Sequence, residues 1–287
     1  MDVALVTYSE LPNLAEDDQL LRDALLRRGL SVQPAIWDDP QFDWSAPKLA
    51  VIRSTWDYHR RLDEFLAWAR RAAQLTSLWN PLQAIEWNTH KTYLRDLEAR
   101  GVPIVPTVWL EAGSQANLTY IVASRGWQRA VVKPAVSASA FGTVMVTPDN
   151  LAQGQTHLEQ MLSAHDMMVQ PYISSVNNYG ERSLMLIGGE LTHAVRRAPV
   201  LNAASDSKHK RVMPTIEEAT LAEEIVRASS FSPLFARVDL VRDDEGQPQL
   251  MELELVEPSL FFIFAPEAAE RMADAITERV NGRRSRM

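Results

Sequence analysis

The fold is decided by two apolar runs, Ala236-Arg237-Val238-Asp239-Leu240-Val241 and Gln249-Leu250-Met251-Glu252-Leu253-Glu254-Leu255-Val256. The acidic segment between them, Asp243-Asp244-Glu245-Gly246, is typical of a tight turn, so the pair predicts an antiparallel hairpin. A turn centred on this segment sets Asp239 opposite Glu252. Because side chains alternate along a strand, Glu252 and Glu254 point the same way. One face of the hairpin is therefore apolar, and the opposite face gathers three carboxylates.

Three neighbouring carboxylates are costly unless a cation joins them, because like charges repel at close range. Oxygen-only ligands select a hard ion such as magnesium. Asp239, Glu252 and Glu254 are therefore candidate metal ligands. The alternative is a solvated acidic face on an edge hairpin. The strand from 250 to 256 is otherwise apolar, and that composition favours the metal site.

Two lysines stand where phosphate groups would need them. Lys133 ends an apolar run, and a lysine at the end of a buried strand requires an anionic partner. The following loop, 137–143 with Ser139, consists mostly of small residues whose amides and hydroxyls suit phosphate oxygens. Lys91 follows Asn88, a good helix N-cap, and is expected in the first turn of that helix. An ordinary ion pair is the alternative for each lysine.

A second hairpin is predicted around Gly188-Gly189, a strong turn signal between two apolar runs. Arg182 and Arg197 flank its two strands, so the turn is expected to bring them close together. Two guanidinium groups at the open end of a hairpin suit a bidentate anion. Together with the carboxylates and lysines described above, Arg182 and Arg197 are therefore candidate catalytic residues.

The first third of the chain alternates short apolar runs with amphipathic segments, the pattern of a parallel sheet covered by helices. In such sheets, ligands bind at the carboxyl ends of the strands. The third predicted strand leads into polar residues that are candidates for a substrate wall: Arg53, Ser54, Thr55, Trp56 and Asp57. The alternative is a polar loop around a buried tryptophan.

The composition of the 287 residues excludes several classes of function. A net charge of -8 argues against extensive nucleic-acid contact, which needs a positive surface. There are no cysteines, so disulfides, thiolate metal sites and cysteine nucleophiles are excluded, and a reducing cytoplasm is expected. No apolar run approaches the roughly 20 residues that span a bilayer, and the first residues lack a signal-peptide pattern.

The order and spacing of these motifs resemble the ATP-grasp superfamily, especially its branch of glutathione synthetases and ribosomal-protein glutamate ligases. The resemblance runs from about Trp87 to Glu257 and is specific as a set, although no single motif is. It is carried by Asn88-Thr89-His90-Lys91, Val132-Lys133-Pro134, Val169-Gln170-Pro171-Tyr172-Ile173, Glu181-Arg182-Ser183-Leu184, Arg237-Val238-Asp239-Leu240 and Met251-Glu252-Leu253-Glu254.

This resemblance implies a fold that combines α/β and α+β parts. An N-terminal parallel α/β domain, residues 1–85, would supply the substrate wall. Two α+β subdomains would clasp ATP between them: residues 86–175, with central helices and a lid, and residues 176–287, with the metal site. Related enzymes are often dimers or tetramers, so a homodimer or homotetramer is implied as well.

The resemblance also implies a role for each candidate residue. Lys91, Lys133 and Ser139 would bind the ATP phosphates, while Arg182 and Arg197 would stabilise the transferred phosphoryl group. The hinge whose backbone reads the adenine edge would consist of Gln170, Pro171, Tyr172 and Ile173.

Glu181 would reach the ribose, and Asp239, Glu252 and Glu254 would hold two magnesium ions, with manganese as an alternative.

Two features depart from the family pattern. The loop after Lys133 contains one glycine where the family usually has several. The third metal ligand is often asparagine in the family, so the glutamate here adds a negative charge.

For activity, the resemblance implies an ADP-forming ligase acting on a small, amino-acid-like substrate. Phosphoryl transfer from ATP to a carboxylate or ureido oxygen would give an acyl-phosphate, and an amine would then displace phosphate to form a C–N bond. The whole-chain pattern, with Arg53 to Tyr58, also resembles a smaller group of cyclo-ligases that acts on O-ureido-serine in the biosynthesis of the antibiotic D-cycloserine. Two alternatives stay open: a phosphotransferase that stops at a phosphorylated product, and a catalytically inactive nucleotide-binding regulator.

Overall fold

The computed structural model describes residues 1–197 and 209–284, the side chains of 283 and 284 excepted. Within these residues the chain forms one parallel and two antiparallel sheets, which confirms the predicted combination of α/β and α+β parts. No helix in this part of the chain combines the length and apolar character needed to cross a membrane.

The first sheet is parallel throughout, and its strands are β1 (Val3–Thr7), β2 (Val32–Ile36), β3 (Leu49–Ser54) and β4 (Ser77–Leu78). Their spatial order is β2-β1-β3-β4. The first and third strands are buried along their whole length, as expected for apolar runs covered on both faces. The connecting helices are α1 (Glu16–Arg27) and α2 (Leu62–Leu75).

The middle of the chain builds a smaller antiparallel sheet. Its elements in chain order are α3 (Leu82–Asn88), α4 (Tyr93–Ala99), β5 (Val108–Leu110), α5 (Leu118–Ser124), β6 (Ala130–Pro134), β7 (Val144–Val146), α6 (Leu151–Leu162) and β8 (Met167–Pro171). The spatial order of the strands is β5-β8-β6-β7. Leu118 and Leu158 of the two covering helices pack with Val132 and Val169 of the sheet in one buried cluster.

The last sheet is antiparallel and larger. Its elements in chain order are β9 (Glu181–Ile187), β10 (Glu190–Arg197), β11 (Lys210–Val212), α7 (Ile216–Ala228), β12 (Phe235–Arg242), β13 (Pro248–Glu254) and α8 (Pro266–Arg284). The spatial order of the strands is β11-β10-β9-β12-β13. Asp239 faces Glu252 in the β12–β13 register, which confirms the hairpin alignment predicted from the sequence.

The C-terminal helix returns to the N-terminal sheet. Arg28, just after α1, forms ion pairs with Glu270 and Asp274 of α8. Phe262 and Met272 share one buried cluster with residues of β1 and β3. This packing holds the segment after β13 against the N-terminal sheet, so residues 255–264 connect two of the three sheets.

One short backbone bridge, between Ile104 and Leu250, and several side chains bond the outer edge of β13. Asn80 Nδ2 donates to Leu255 O at 2.6 Å, and Asn88 Nδ2 donates to Leu253 O at 2.8 Å. The hydroxyl of Tyr93 accepts from Leu253 N at 2.9 Å. Asn88 therefore ends α3 and ties it to β13, so the prediction that it caps the helix containing Lys91 is wrong. Lys91 lies in the turn before α4.

Candidate active site

A cavity of about 490 Å³ lies between the two antiparallel sheets. Strands β6 and β8 line one side and β13 lines the other, while Trp56 and Tyr58 reach the cavity from the segment after β3. The lining brings together residues that are distant in the sequence. The predicted site residues among them are Trp56, Lys91, Lys133, Ser139, Gln170, Pro171, Tyr172, Ile173, Glu181, Arg197, Glu252 and Glu254.

Asp239, Glu252 and Glu254 lie together on one face of the β12–β13 hairpin. Each offers an oxygen, and these oxygens lie within 4.8 Å of one another. Asp239 is fully buried, whereas the two glutamates line the cavity. The donor set and its spacing fit a hard divalent cation such as magnesium.

Two arginines balance these carboxylates. Arg237 Nη2 donates to Asp239 Oδ2 at 2.8 Å and also pairs with Glu254. Arg197 Nη1 lies 2.8 Å from the same oxygen of Asp239. Burial would raise the pKa of Asp239, but Arg237 and Arg197 hold it below its usual range. Asp239 is therefore ionised at neutral pH.

Arg237 lines the cavity but lies outside the set of residues predicted from the sequence. The signal that marks it is strand alternation, because Arg237 stands two residues before Asp239 on β12 and shares its face. An arginine inside an otherwise buried strand, next in alternation to a candidate metal ligand, therefore belongs with the charged face of the hairpin.

Both predicted lysines converge on Glu252. Lys91 Nζ and Lys133 Nζ each lie 3.4 Å from Glu252 Oε1. Burial would raise the pKa of Glu252, but the two lysines lower it below its usual range. Two cations share this one carboxylate, which leaves positive charge available for further anions at the cavity wall.

The loop 137–143 contacts the first of these lysines. Lys91 Nζ donates to the carbonyl oxygen and to Oγ of Ser137 at 3.1 and 3.2 Å. Ser139 and Ala140 adopt left-handed φ values of 51° and 58°. That conformation costs a non-glycine residue about 1 kcal/mol or more, so the surrounding contacts must hold it.

Phe141 supplies such contacts and joins the loop to two other parts of the chain. Its ring centroid lies 5.1 Å from that of His59 and 6.3 Å from that of His165. The one glycine of the loop, Gly142, has a φ of 64° and packs so tightly that an added Cβ would lie 2.8 Å from Pro134. Packing, more than glycine content, therefore sets the shape of this loop.

The end of β8 forms the more apolar end of the cavity. Gln170 is almost fully buried, and its Nε2 donates to Thr107 Oγ1 at 2.9 Å. That bond ties the end of β8 to Thr107, just before β5. The apolar residues that line this end with Pro171, Tyr172 and Ile173 are Val131, Val176 and Met251.

Glu181 and Arg197 face each other across β9 and β10, and their side chains form an ion pair at 3.1 Å. Burial raises the pKa of Glu181 to about 7, against the opposing effect of Arg197. Arg182 is the register partner of Arg196, and its guanidinium stacks on the ring of Tyr179 at 4.0 Å. Alternation turns Arg182 away from the cavity, so the prediction that it lies beside Arg197 in the site is wrong.

The predicted substrate wall is mostly sealed from the cavity. Arg53 is fully buried, and it donates through Nε to Asp18 and through Nη2 to Pro258 O, both at 2.8 Å. Ser54 Oγ donates to the other oxygen of Asp18 at 2.6 Å. The polar end of β3 therefore ties α1 and the segment after β13 to the first sheet.

Two further residues of that predicted wall are also placed elsewhere. Thr55 is fully buried, and Asp57 accepts a hydrogen bond from Trp37 Nε1 at 3.0 Å. Trp56 lines the cavity, where its Nε1 donates to Glu257 O at 3.1 Å. The prediction of a five-residue wall is thus wrong for four residues: Arg53, Ser54 and Asp57 bond other parts of the chain, and Thr55 is fully buried.

Proteins of known sequence and structure identify the family. Residues 3–80 match the family described as D-cycloserine synthetase DcsG, N-terminal domain. The chain is 30% identical to the cycloserine biosynthesis protein DcsG of Streptomyces lavendulae, over 97% of this chain and 98% of that protein. It superposes on the crystal structure of D-cycloserine synthetase DcsG with a TM-score of 0.91 and 29% identity, over 98% of this chain and 100% of that one. A RimK domain ATP-grasp protein from Sphaerobacter thermophilus gives a TM-score of 0.71 at 19% identity, over 96% and 98% of the two chains.

The fold and the charged cavity together define an ATP-grasp enzyme, an ATP-dependent and ADP-forming ligase, as the sequence predicted. Ligases of this class use ATP with magnesium, and the carboxylate face of the β12–β13 hairpin fits that ion. Within the class, the chain belongs to the DcsG family.

Proposed function

We propose that the protein is a cyclising ligase that forms the ring of cycloserine from O-ureido-serine, at the expense of ATP. The observation that carries the proposal is the convergence of Lys91 and Lys133 on Glu252 at 3.4 Å, beside the other two carboxylates of the hairpin. Such a site suits a metal-bound polyphosphate. The substrate is supported by the whole-length similarity to DcsG of Streptomyces lavendulae.

In the proposed reaction, a carboxylate oxygen of O-ureido-serine attacks the γ-phosphorus of ATP, and the bond to the bridging oxygen breaks to release ADP. The nitrogen of the N–O bond then attacks the acyl carbon and loses its proton, while phosphate leaves. This step closes a five-membered ring through a new C–N bond. One water hydrolyses the carbamoyl group, which departs as carbon dioxide and ammonia.

The charged residues divide this work. Asp239, Glu252 and Glu254 would hold magnesium, with two ions proposed and manganese as the alternative, and the ion would neutralise phosphate charge as ATP is attacked. Lys91 and Lys133 bind phosphate oxygens in place of their present contact with Glu252. Positioning and charge neutralisation dominate such a transfer, so no covalent protein nucleophile is needed.

The remaining lining residues hold the two ends of the nucleotide. Gln170 to Ile173, at the apolar end of the cavity, contact the adenine ring through backbone groups, and Glu181 accepts a hydrogen bond from the ribose. The loop containing Ser139 covers the phosphates. Arg197 and Arg237, which already pair with the carboxylates, stabilise the transferred phosphoryl group.

The test is ADP release with Mg-ATP over a panel of amino acids, dipeptides and O-ureido-serine, each with and without an added amine. Turnover of O-ureido-serine alone, with cycloserine as the product, supports the proposal. Turnover that requires an added amine indicates an intermolecular ligase instead. ADP formation with a stable phosphorylated product indicates a phosphotransferase, and magnesium-dependent ATP binding without turnover indicates a regulator.

A pair of variants tests the site assignment in the same assay. Lys133→Ala is expected to lower turnover by roughly 10² to 10³-fold, because a cation that faces the transferred phosphate is lost. Lys48→Ala, at an ion pair with Asp2 just before the strands of the first sheet, is the matched control and should turn over like the wild type. Equal rates in the two variants would contradict the role of Lys133.

A further inference from the structure

Glu257 is a carboxylate of the cavity lining that the metal and phosphate groups do not use. It is 9% exposed, and it lies three residues beyond Glu254, where the chain has left β13. Within residues 1–197 and 209–284, no side chain forms an ion pair with its carboxylate or donates a hydrogen bond to it. An enclosed carboxylate without such a partner is costly, so its presence at a cavity wall calls for a ligand.

The nearby cations have other partners. Lys91 contacts Glu252, and Arg237 contacts Asp239 and Glu254. Burial raises the pKa of Glu257 well above its usual range, and the charge of Glu254 adds to that effect. A positive group that enters the cavity beside Glu257 would offset both effects.

The position of Glu257 indicates which ligand brings that positive group. Its backbone oxygen accepts from Trp56 Nε1. Tyr58 also lines the cavity and lies near enough that the charge of Glu257 adds to burial in raising the pKa of the tyrosine. The apolar end formed by Ile173 and its neighbours, which suits an aromatic base, belongs to other strands. Glu257 therefore lies on the substrate side of the phosphate-binding groups, where a co-substrate meets ATP.

We propose that Glu257 determines specificity by binding the ammonium group of an amino-acid substrate. The inference rests on the proposed function for the identity of the substrate, O-ureido-serine, whose ammonium group takes no part in ring closure. That group can therefore stay paired with Glu257 from binding to product. A substrate that lacks the amine leaves the carboxylate unpaired in an enclosed site, and such sites reject analogues strongly.

The test compares two pairs of ligands, each an amino acid and its des-amino counterpart: O-ureido-serine with 3-(ureidooxy)propanoate, and serine with 3-hydroxypropanoate. Dissociation constants are measured by calorimetry with magnesium and a non-hydrolysable ATP analogue present. The wild type is expected to prefer the amino acid by about 30-fold or more in at least one pair. Glu257→Gln should lose most of that preference and keep its affinity for the nucleotide. Glu245→Gln, at the exposed turn of the same hairpin, is the control and should behave like the wild type.

Three outcomes overturn the inference: no preference for the amine in the wild type with either pair, an unchanged preference in Glu257→Gln, or a loss of magnesium-dependent nucleotide affinity in that variant. The last result would make Glu257 a metal ligand. The proposed function is tested separately, by measuring whether the wild type forms cycloserine. A wild type that shows a Glu257-dependent preference but forms no cycloserine refutes the reaction and supports the inference.

Discussion

Two arginine–carboxylate pairs lie buried in this molecule, and they serve different ends. Arg53 and Asp18 join the first sheet to α1, and Arg237 and Asp239 lie side by side on β12. The closest N–O distance is 2.8 Å in each pair, and all four residues are at least nine-tenths buried. Burial and pairing alone do not tell them apart.

The surroundings of the two pairs do. The guanidinium of Arg53 also contacts Pro258 O and lies 4.7 Å from the ring centroid of Phe235, within packed core. Around Asp239, by contrast, further carboxylates and cations accumulate and border a cavity. A buried network of charged residues therefore indicates a functional site under two conditions. It contains more charges than can pair with one another, and it borders a cavity.

The largest expected effect separates the two networks by activity. Glu252→Ala should lower turnover by roughly 10³-fold or more, because it removes a proposed metal ligand and the partner of Lys91 and Lys133. Steady-state ADP release measures the loss, and chemical unfolding should show a folded protein. Glu245→Ala, at the exposed turn of the hairpin, is the matched control. Turnover of Glu252→Ala within tenfold of that control would contradict the assignment.

The next largest effect distinguishes the two charge networks by the stability of the protein. Arg53→Met should lower the free energy of unfolding by about 3 to 5 kcal/mol, since Asp18 is left as an unpaired buried charge. Nucleotide affinity of the folded fraction should stay unchanged. Adding Asp18→Leu should recover much of the stability, because an apolar pair replaces the ionic one. Arg60→Met, at a mostly exposed arginine, is the control. A loss of nucleotide binding in folded Arg53→Met would contradict the separation of the two networks.

A smaller effect concerns Asp17, next to the sealed pair. Burial raises its pKa to about 6 from 3.8, so the folded state binds the proton more tightly than the unfolded state. The stabilisation from this group is full below pH 3.8 and is lost as the pH rises through 6. Asp17→Asn does not titrate and keeps an acceptor for Ile263 N. It should therefore raise the free energy of unfolding at pH 7 by about 2 kcal/mol.

Denaturant unfolding between pH 4 and 7 measures this difference. Asp23→Asn, on the same helix and half-exposed, is the control and should follow the wild type across the range. A gain in Asp17→Asn that is the same at pH 4 and pH 7 would show that the titration of Asp17 is not its cause.

The smallest effect lies in the cavity loop. Ala140→Gly should raise the free energy of unfolding by about 0.5 kcal/mol, because glycine adopts the left-handed conformation without penalty. Ala138→Gly, two residues earlier and without a positive φ, should lower it by a similar amount, since the flexible unfolded chain then gains entropy. Changes of the same sign in both variants, seen in thermal unfolding, would contradict this account.

Local rules predicted the carboxylate hairpin well. Alternation with a period of two aligned Asp239 with Glu252 and set Glu254 on the same face, and the described register agrees. The same rule was available for Arg182, which alternates away from Glu181, and for Arg237, which shares a face with Asp239. Residue type and chain position alone place neither arginine correctly, whereas the strand face places both.

Other features were beyond local rules. The end of β3 reads as a ligand-binding edge, but Asp18 of α1 occupies Arg53 and Ser54, and only the packing of that helix brings it there. Asn88 is a residue type that often caps helices, yet its side chain bonds Leu253 O of β13 and Leu255 N just after it, at least 165 residues away along the chain. Long-range partners decided both cases, and the sequence around each residue carries no record of them.

The bonding of the outer edge of β13 bears on how faithfully this protein assembles. An apolar edge strand is an open template on which another chain can add a strand, which leads to domain exchange or fibrils. Asn80, Asn88 and Tyr93 occupy backbone groups of that edge with side chains, which cannot extend a ladder. A slip of one residue would also turn Glu252 and Glu254 into the core. These three side chains, together with the backbone bridge between Ile104 and Leu250, therefore protect the enzyme from self-association through the strand that carries its charged site.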